Sequence, residues 1–429
     1  MRAPLHLLLY GVEIGTLEPL SRNRWQLRYD DGWCQQPRAH PLSVSMPLSQ
    51  SVHPHDVLEP FVSNLLPDNV EVLQRWGRQF HVSARDPFAL LRHVGEDCAG
   101  AVQFVRPERL DAVAHQPGRV QWLSEADIEE RLLLLTTDRA AWRHGDDTGQ
   151  FSLSGAQPKT ALFWDGQRWG IPEGCVPTTH ILKPTLPDFD GHAENEHICL
   201  SLAGAVGLPA ARSEVHRFGE AVAIVVTRYD RVLVGPGPLD VRRIHQEDFC
   251  QALGRPPTAK YQSEGGPSPA DIGALLNTRS SMPQQDTRTF VGALAFNWLI
   301  AGTDAHAKNY SLLHGVGGQL RLAPLYDIAS ALPYPHLDNH RLKLAMKVGS
   351  QYLLRKILPC HWNALAQQLG LEADVVLEQV RNLADQIVTA LPSIRQESAA
   401  LTHPIVHTLL DQIADRVEAQ RRLFSAGGR

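Results

Sequence analysis

The chain has 429 residues, of which 43% are hydrophobic and 20% charged, and its formal net charge is −5. This length exceeds what one hydrophobic core organises and predicts two or three domains. The negative balance excludes a general attraction to nucleic acid or anionic membranes, and no apolar run approaches the ~20 residues that cross a bilayer. The six cysteines are scattered without metal-ligand spacing. That distribution favours reduced thiols in a cytoplasmic protein without membrane contact.

The first part of the chain, residues 1–108, reads as a separate subdomain of mixed structure. It alternates short apolar runs typical of strands (HLLLYGVEIGTL, WQLRYD and LSVSMPL) with helical patterns at Val57–Trp76 and Pro87–His93. A connector follows, with one helix expected over Ser124–Leu135. Ser124 and Asp127 have the spacing of a capping box, which favours a helix start there.

Residues 151–164 (FSLSGAQPKTALFW) predict a strand, a loop of small residues and a second strand, and Asp165-Gly166 predicts a hairpin turn after them. Small side chains let backbone N–H groups approach phosphate oxygens. The Walker pattern is absent, so a kinase-type phosphate flap between two strands is the better functional interpretation, with a plain hairpin as the alternative. The flap residues expected to bind ATP are Ser154, Gly155, Ala156, Gln157 and Lys159.

Further along, TTHILK is a short strand that ends in Lys183, and a helical segment carrying Glu196 follows it. In kinases, a strand lysine binds the nucleotide phosphates and a glutamate on the next helix orients it. The apolar strand Ala221–Val226 then runs into Thr227, Arg228 and Tyr229. These three residues are expected to form the hinge, where backbone groups meet the adenine edge. The predicted kinase N-lobe therefore spans residues 109–235.

From residue 236 to 429 helices dominate, after a turn-rich joint at Val234–Pro238. The expected helices are Gln246–Leu253, Pro269–Leu276, Thr287–Ile300, His361–Gly370, Ala373–Leu391 and Pro404–Phe424. Directly after the apolar segment Phe290–Ile300 comes GTDAHAKN, which places Asp304 and Asn309 at the D-x-x-x-x-N spacing of the kinase catalytic loop. Asp327 lies eighteen residues beyond Asn309. Phosphoryl transfer needs a carboxylate beside the attacking hydroxyl and oxygen ligands for Mg²⁺, so this region predicts a kinase active site.

Taken together, these strings resemble the HipA family of bacterial serine/threonine-kinase toxins. The resemblance is carried by SLSGAQPKTAL, TTHILKP, ENEHICL, TRYDR, HQEDFCQALG, KYQSEGGPSPADI, FNWLIAGTDAHAKNYSLL, LAPLYDIASA and LKLAM, and in the first third by LSVSMPL, FVSNLLPDN, DPFALL and GEDCAGAVQF. It implies an α+β, two-lobed protein-kinase-like fold. The N-lobe would be a β-rich mixed lobe with an extra N-terminal subdomain, and the C-lobe would be all-α.

The resemblance also implies roles for individual residues. Asp304 would be the catalytic base, and Asn309 and Asp327 would hold Mg²⁺. Lys183, oriented by Glu196, would bind the ATP phosphates under the flap. His306, Lys308 and Tyr326 would line the nucleotide site. We infer that His306 contacts a phosphate there, with a histidine that only braces the loop as the alternative. Ser152 matches the serine that family members autophosphorylate, and a phosphate there would expel the flap and switch the enzyme off.

Two positions depart from the family pattern. Pro158 stands where an acidic residue is usual, and its fixed φ should restrict the flap. The helix expected at Leu365–Gly370 contains no Lys or Arg, although family members that touch operator DNA directly use basic residues there. DNA contact is therefore expected only indirectly, through a helix-turn-helix, HipB-like antitoxin dimer.

The leading functional hypothesis is a toxin kinase that phosphorylates a translation component, of the aminoacyl-tRNA synthetase class by resemblance. Two alternatives stay open at this point. Antibiotic phosphotransferases use a similar Asp-x-x-x-x-Asn loop, so a small-molecule kinase is one. The other is an antitoxin-bound corepressor with little kinase activity, which would need the fold but not the chemistry.

Overall fold

The computed structural model describes residues 3–21, 24–143, 151–235, 237 and 239–426. Its chain forms two compact units that interleave in sequence. The first comprises Met1–Pro184, Arg217–Thr258 and Leu312–Leu320, and the second comprises Thr185–His216, Ala259–Ser311 and Arg321–Arg429. The division into residues 1–108, 109–235 and 236–429 stays a prediction. Of the proposed joint Val234–Pro238, Pro236 and Pro238 lie outside the described residues.

The first unit begins with a five-stranded sheet in the order β4-β3-β2-β1-β5. Its strands are β1 (Leu5–Leu9), β2 (Val12–Pro19), β3 (Trp25–Tyr29), β4 (Val52–His53) and β5 (Val102–Val105). The β1–β2 turn has φ of 56° at Tyr10 and 77° at Gly11, a backbone twist that suits tight hairpins. Four helices accompany this sheet: α1 (Asp31–Cys34), α2 (His55–Ser63), α3 (Val70–Phe80) and α4 (Pro87–Val94). They share a core with it in which Trp25, Trp76 and Phe88 are buried.

A six-stranded sheet follows, in the order β10-β11-β9-β7-β8-β6. Its strands are β6 (Arg119–Trp122), β7 (Thr160–Trp164), β8 (Trp169–Glu173), β9 (His180–Pro184), β10 (Ser213–Phe218) and β11 (Ala221–Thr227). The predicted hairpin turn is present, because Gly166 has φ of 100° and the Asp165 carboxylate accepts from Arg168 N at 2.6 Å. Two helices precede β7, α5 (Leu110–Ala114) and α6 (Glu125–Thr137). Both halves of the Ser124–Asp127 capping box form at α6.

The other strands up to residue 322 are short, and so is the helix α8 among them. They are β12 (Arg231–Leu233), β13 (Val241–Arg243), β14 (His245–Asp248), α8 (Phe249–Ala252), β15 (Ser311–His314) and β16 (Leu320–Leu322). Strands β14, β15 and β16 form one sheet in that order.

The second unit is mainly helical. Its helices are α7 (His192–Ala205), α9 (Pro269–Arg279), α10 (Pro283–Ile300), α11 (Pro359–Leu369), α12 (Ala373–Glu397) and α13 (Ile405–Ala426). It also carries an antiparallel pair, β17 (Lys343–Val348) with β18 (Gln351–Leu353). The sequence predicted an all-α lobe. The helices agree with that prediction, but the β17–β18 pair was not predicted.

Three local predictions need correction. The run LSVSMPL forms turns instead of a strand, because the Ser43 hydroxyl and the Val44 amide bond to the Glu247 carboxylate at 2.5 and 2.9 Å. The helix expected over Val57–Trp76 is split into α2 and α3. Pro67 disfavours helical backbone before it, and Asn69 caps α3 by accepting from Glu71 N at 2.8 Å. Gln246–Leu253 is the end of β14 followed by one helical turn, α8.

Candidate active site

The loop that carries Asp304 begins at the end of α10. Every residue from Phe290 to Ile300 is buried, so the helix is a fixed support. Ala301 ends it in left-handed backbone with φ of 56°. A Cβ on the next residue, Gly302, would lie 2.2 Å from Asn297 Oδ1, so a larger residue would have to displace the buried Asn297 side chain. The following loop is therefore anchored at its first residues.

The D-x-x-x-x-N spacing closes into a hydrogen-bonded loop. The Asp304 carbonyl oxygen accepts from Asn309 Nδ2 at 2.9 Å and from His306 N at 2.7 Å. The Asp304 side chain is exposed and Asn309 is buried. Because Nδ2 of Asn309 is the donor, its Oδ1 is the amide atom that retains electron pairs suited to a hard cation.

The residue before Asp327 makes a separate set of contacts in the same unit. The neighbouring Tyr326 hydroxyl donates to Lys308 O at 2.6 Å and lies 2.7 Å from Ser311 Oγ. Lys308 directly precedes Asn309, and Tyr326 directly precedes Asp327. This hydrogen bond therefore links the neighbours of the two predicted metal ligands. Asp327 adopts φ of 58°, which aspartate and asparagine tolerate better than most side chains. Two oxygen donors fit Mg²⁺, which usually takes one or two protein carboxylates or amides beside phosphates and water.

Tyr261 is a residue of this site that the sequence did not single out. Its hydroxyl donates to Asp304 Oδ1 at 2.5 Å, and its ring meets the buried His306 ring edge to face at 4.9 Å. The string KYQSEGG supported the family resemblance, but no motif spacing linked it to a catalytic loop 43 positions away. The packing of His306 on Tyr261 shows a bracing contact for this histidine, and its phosphate contact stays a prediction.

The predicted flap, Ser154–Lys159, lies in the first unit. It is preceded by a single bridge between Phe151 and Asp97 and not by the expected strand. Gly155 has φ of 101°, and its carbonyl oxygen accepts from Asp68 N at 2.9 Å. Lys159 is buried and donates to Ser154 O at 2.9 Å, so its ammonium braces the loop. Ala156 is exposed, whereas Ser154 and Gln157 are half-buried.

Ser152, the predicted phosphorylation site, has 0% of its surface exposed. Its hydroxyl donates to Leu65 O at 2.8 Å, and its amide donates to Asp97 O at 2.9 Å. In this arrangement the Ser152 hydroxyl cannot receive a phosphoryl group until its segment moves away from Leu65 and Asp97.

The other predicted nucleotide-binding residues are distributed over both units. Lys183 is buried on β9 in the first unit, opposite Ile224 of β11. Glu196 is buried on α7 in the second unit, with its carboxylate 3.8 Å from His192 Nε2. The pairing of Lys183 with Glu196 stays a prediction.

The hinge residues Thr227, Arg228 and Tyr229 follow β11. The Arg228 guanidinium is buried and donates to both Asp230 carboxylate oxygens at 2.9–3.0 Å, and its amide donates to Thr179 O at 2.9 Å. Burial alone would raise the pKa of Asp230, but Arg228 and Arg231 hold it well below its usual value. Arg228 is therefore a structural ion-pair partner through its side chain. The Tyr229 hydroxyl bonds to Gln246 Oε1.

Within the described ranges, no three or more His, Cys, Asp or Glu side chains are grouped so that they could hold a metal ion. A magnesium site built from Asn309 and Asp327 would not form such a group, since it uses an amide and one carboxylate. Among the described helices, none has the length and apolarity to cross a membrane.

A buried helix that ends in an Asp-x-x-x-x-Asn loop, hydrogen-bonded to the residue before a second aspartate, defines a kinase-like phosphotransferase. Comparison with known proteins supplies the family. The family model described as the HipA-like C-terminal domain matches residues 151–391, and that of the HipA N-terminal domain matches residues 5–105. The chain belongs to the HipA family.

Individual relatives agree with this assignment. The putative kinase Y4mE of Sinorhizobium fredii is 35% identical over 398 residues, 92% of each chain. The serine/threonine-protein kinase toxin HipA of Shewanella oneidensis is 28% identical over 407 residues, 91% of this chain and 89% of the relative. HipA of Shewanella oneidensis MR-1, solved with HipB and its operator DNA, superposes with a TM-score of 0.85 at 26% identity over 98% of each chain. The protein thus has the two-lobed, kinase-like α+β fold and is an enzyme of the kinase class.

Proposed function

We propose that this protein is an ATP- and Mg²⁺-dependent protein serine/threonine kinase and the toxin of a toxin–antitoxin module. The observation that supports it most is the exposed Asp304 carboxylate, on a loop whose carbonyl oxygen is clamped by Asn309 at 2.9 Å. A carboxylate at that position accepts the proton of an incoming hydroxyl, and a rigid loop holds it where the hydroxyl arrives.

The remaining roles follow from the chemistry of the side chains. Asn309 Oδ1 and the Asp327 carboxylate would hold Mg²⁺, which neutralises charge on the phosphates. The backbone of Ser154–Gln157 and the ammonium groups of Lys159 and Lys183 would bind the phosphates. His306 and Lys308 would contribute to the same site, and Thr227–Tyr229 would offer backbone groups to adenine. The proton of the acceptor hydroxyl would pass to Asp304.

The substrate proposed is a protein hydroxyl on a translation component of the aminoacyl-tRNA synthetase class, and the partner proposed is a HipB-like antitoxin dimer. The Shewanella oneidensis relative, solved with HipB and operator DNA, supports the partner. The synthetase class rests on the family resemblance alone. If purified synthetases remain unmodified while Ser152 becomes phosphorylated, the substrate class is wrong and the kinase proposal stands.

The test of the activity is peptide mass spectrometry after incubation of the purified protein with Mg-ATP. We expect one phosphate on Ser152 in the wild type and no more than a trace on the same timescale in Asp304→Asn, a near-isosteric change that removes the base. Since Ser152 is fully buried, this result also requires that its segment opens transiently. Bound nucleotide without any phosphate in the wild type would contradict the proposal and would favour the corepressor alternative.

A further inference from the structure

The contact between Tyr261 and Asp304 has a defined direction. An ionised carboxylate only accepts hydrogen bonds, so the Tyr261 hydroxyl must be the donor to Oδ1. The O···O distance of 2.5 Å lies at the short end of the range for charge-assisted bonds. One carboxylate oxygen of the proposed base is therefore occupied by the protein itself.

Tyr261 is held firmly in the position from which it donates. Its carbonyl oxygen accepts from Gly266 N at 2.9 Å, and the preceding Lys260 carbonyl accepts from Ala307 N of the catalytic loop at 3.3 Å. The buried His306 ring stands at 84° to the tyrosine ring. Lys260 Nζ lies 5.5 Å from the centre of that ring. The donor and the catalytic loop are thus parts of one packed assembly within the second unit.

We infer that Tyr261 is a positioning residue for the catalytic base. Its bond to Oδ1 fixes the carboxylate plane, so that Oδ2 is the atom presented to the acceptor hydroxyl. This inference rests on the proposed function. During transfer the acceptor O–H proton moves to Asp304, the acceptor oxygen bonds to the γ-phosphorus, and ADP leaves with the electrons of the broken P–O bond. The phenol proton stays on Tyr261 throughout.

The need for such a residue follows from the exposure of Asp304. The terminal torsion of an aspartate is broad and roughly two-fold, and an exposed carboxylate samples it freely unless a partner restrains it. Misplacement of a reacting group by about 1 Å can cost on the order of 100-fold in rate. Removing the phenol oxygen alone should therefore lower the transfer rate while leaving the loop backbone bonds of Asp304 intact.

The experiment measures single-turnover incorporation of phosphate from labelled Mg-ATP into the full chain. We expect Tyr261→Phe to lower the maximal rate about 10-fold to 100-fold, with nucleotide affinity and the thermal midpoint of unfolding unchanged. The matched control is Tyr352→Phe, the same chemical change on β18 of the same unit. Tyr352 is half-exposed and contacts Lys347, whose Nζ lies 5.1 Å from its ring, so this variant should keep the wild-type rate.

A second arm separates positioning from a merely structural role. If Tyr261 acts through the carboxylate, Tyr261→Phe should have no further effect on the residual rate of Asp304→Asn, because coupled residues are non-additive. An equal fold-loss in both backgrounds would overturn the inference. So would a wild-type rate in Tyr261→Phe, or a faster one, which would mean that the phenol occupies the place of the acceptor hydroxyl. No incorporation in the wild type would overturn the kinase proposal together with this inference.

Discussion

At the scale of single residues, Asp327 shows how backbone conformation and chemistry constrain one position together. Its φ of 58° is a conformation that asparagine and aspartate adopt more readily than other non-glycine residues. The carboxylate, however, is what a hard cation requires. The fold alone would therefore accept asparagine here, but a magnesium-dependent reaction would not.

Asp327→Asn is accordingly expected to keep the free energy of unfolding within about 0.5 kcal/mol of the wild type. Without the anionic ligand, phosphate incorporation should fall about 100-fold or more. Mg-ATP at a hundred times its dissociation constant should stabilise the wild type against unfolding by about 2.7 kcal/mol. In Asp327→Asn the part of this stabilisation that depends on magnesium should be lost. Thermal unfolding with ATP, with and without Mg²⁺, measures this. Asp415→Asn, an exposed change on α13, is the control, and an equal loss in it would contradict the assignment.

At the scale of elements, the segment from Phe151 to Lys159 is held by backbone partners that are distant in sequence. Asp97 O, Leu65 O and Asp68 N bond to Ser152 N, Ser152 Oγ and Gly155 O, respectively. Each of these contacts uses backbone atoms of a loop in the N-terminal region, either between α2 and α3 or between α4 and β5. The segment is thus retained by specific hydrogen bonds, which a charge on Ser152 would break.

Ser152→Asp should release this segment. A carboxylate at a fully buried site costs several kcal/mol when it is unpaired, whereas about 1.4 kcal/mol already shifts a population tenfold. We expect trypsin to cut after Lys159 at least about ten times faster in Ser152→Asp than in the wild type, where Lys159 is only 5% exposed. Ser152→Ala is the control, since it removes one hydrogen bond and adds no charge. Equal cleavage of the aspartate and alanine variants would show that charge does not drive the release.

At the scale of the whole molecule, the first unit is assembled from three separate stretches of chain, and a buried polar cluster joins them. Three histidine rings contact one another there: His40, His245 and His314. His245 Nε2 lies 2.7 Å from Leu42 O, and Ala101 N donates to its Nδ1 at 3.4 Å, which fits a neutral ring. His314 Nε2 lies 2.9 Å from the buried Glu247 carboxylate.

This cluster predicts a loss of stability on acidification. Burial lowers the pKa of all three histidines, that of His314 to about 3, and raises that of Glu247 to about 7. Folding lowers the pKa of the histidines, so the stability that they contribute is lost as pH falls below about 6.5. Folding raises the pKa of Glu247, so the stability that it contributes is lost as pH rises toward 7. Between pH 6.5 and 4.5 the unfolded chain takes up protons on His245 and His314 that the folded chain excludes, while the folded chain holds one on Glu247. The net difference of one proton, to which the lowered pKa of His40 adds in the same direction, costs about 1.4 kcal/mol per pH unit.

Urea unfolding at several pH values, followed by near-ultraviolet circular dichroism, measures this slope. His245→Asn should be less stable than the wild type at every pH. Its free energy of unfolding should depend less steeply on pH, by about one proton or about 1.4 kcal/mol per pH unit. His407→Asn, at an exposed position of α13, should retain the wild-type slope. An unchanged slope in His245→Asn would mean that this ring is protonated in the folded protein.

The sequence by itself determined the features that depend on neighbours along the chain. The apolar run Phe290–Ile300 and the Asp304–Asn309 spacing predicted a buried helix followed by a loop of the kinase catalytic type, because helix periodicity and short loops are local properties. The capping box of α6 and the Asp165-Gly166 turn were predictable for the same reason. The family resemblance extended this to the kinase-like fold, which comparison with known proteins confirms.

Only the tertiary structure decided the features that depend on partners far away in sequence. The run LSVSMPL has strand composition, but Glu247, about two hundred positions later, accepts from the Ser43 hydroxyl and the Val44 amide. The sequence places Ser152 in a predicted strand before the flap, whereas its burial depends on contacts with Leu65 and Asp97. Tyr261 became part of the site through a bond to Asp304 that no local spacing encodes. Side-chain pairings of this kind are set by how the folded elements pack, and the order of residues along the chain does not specify them.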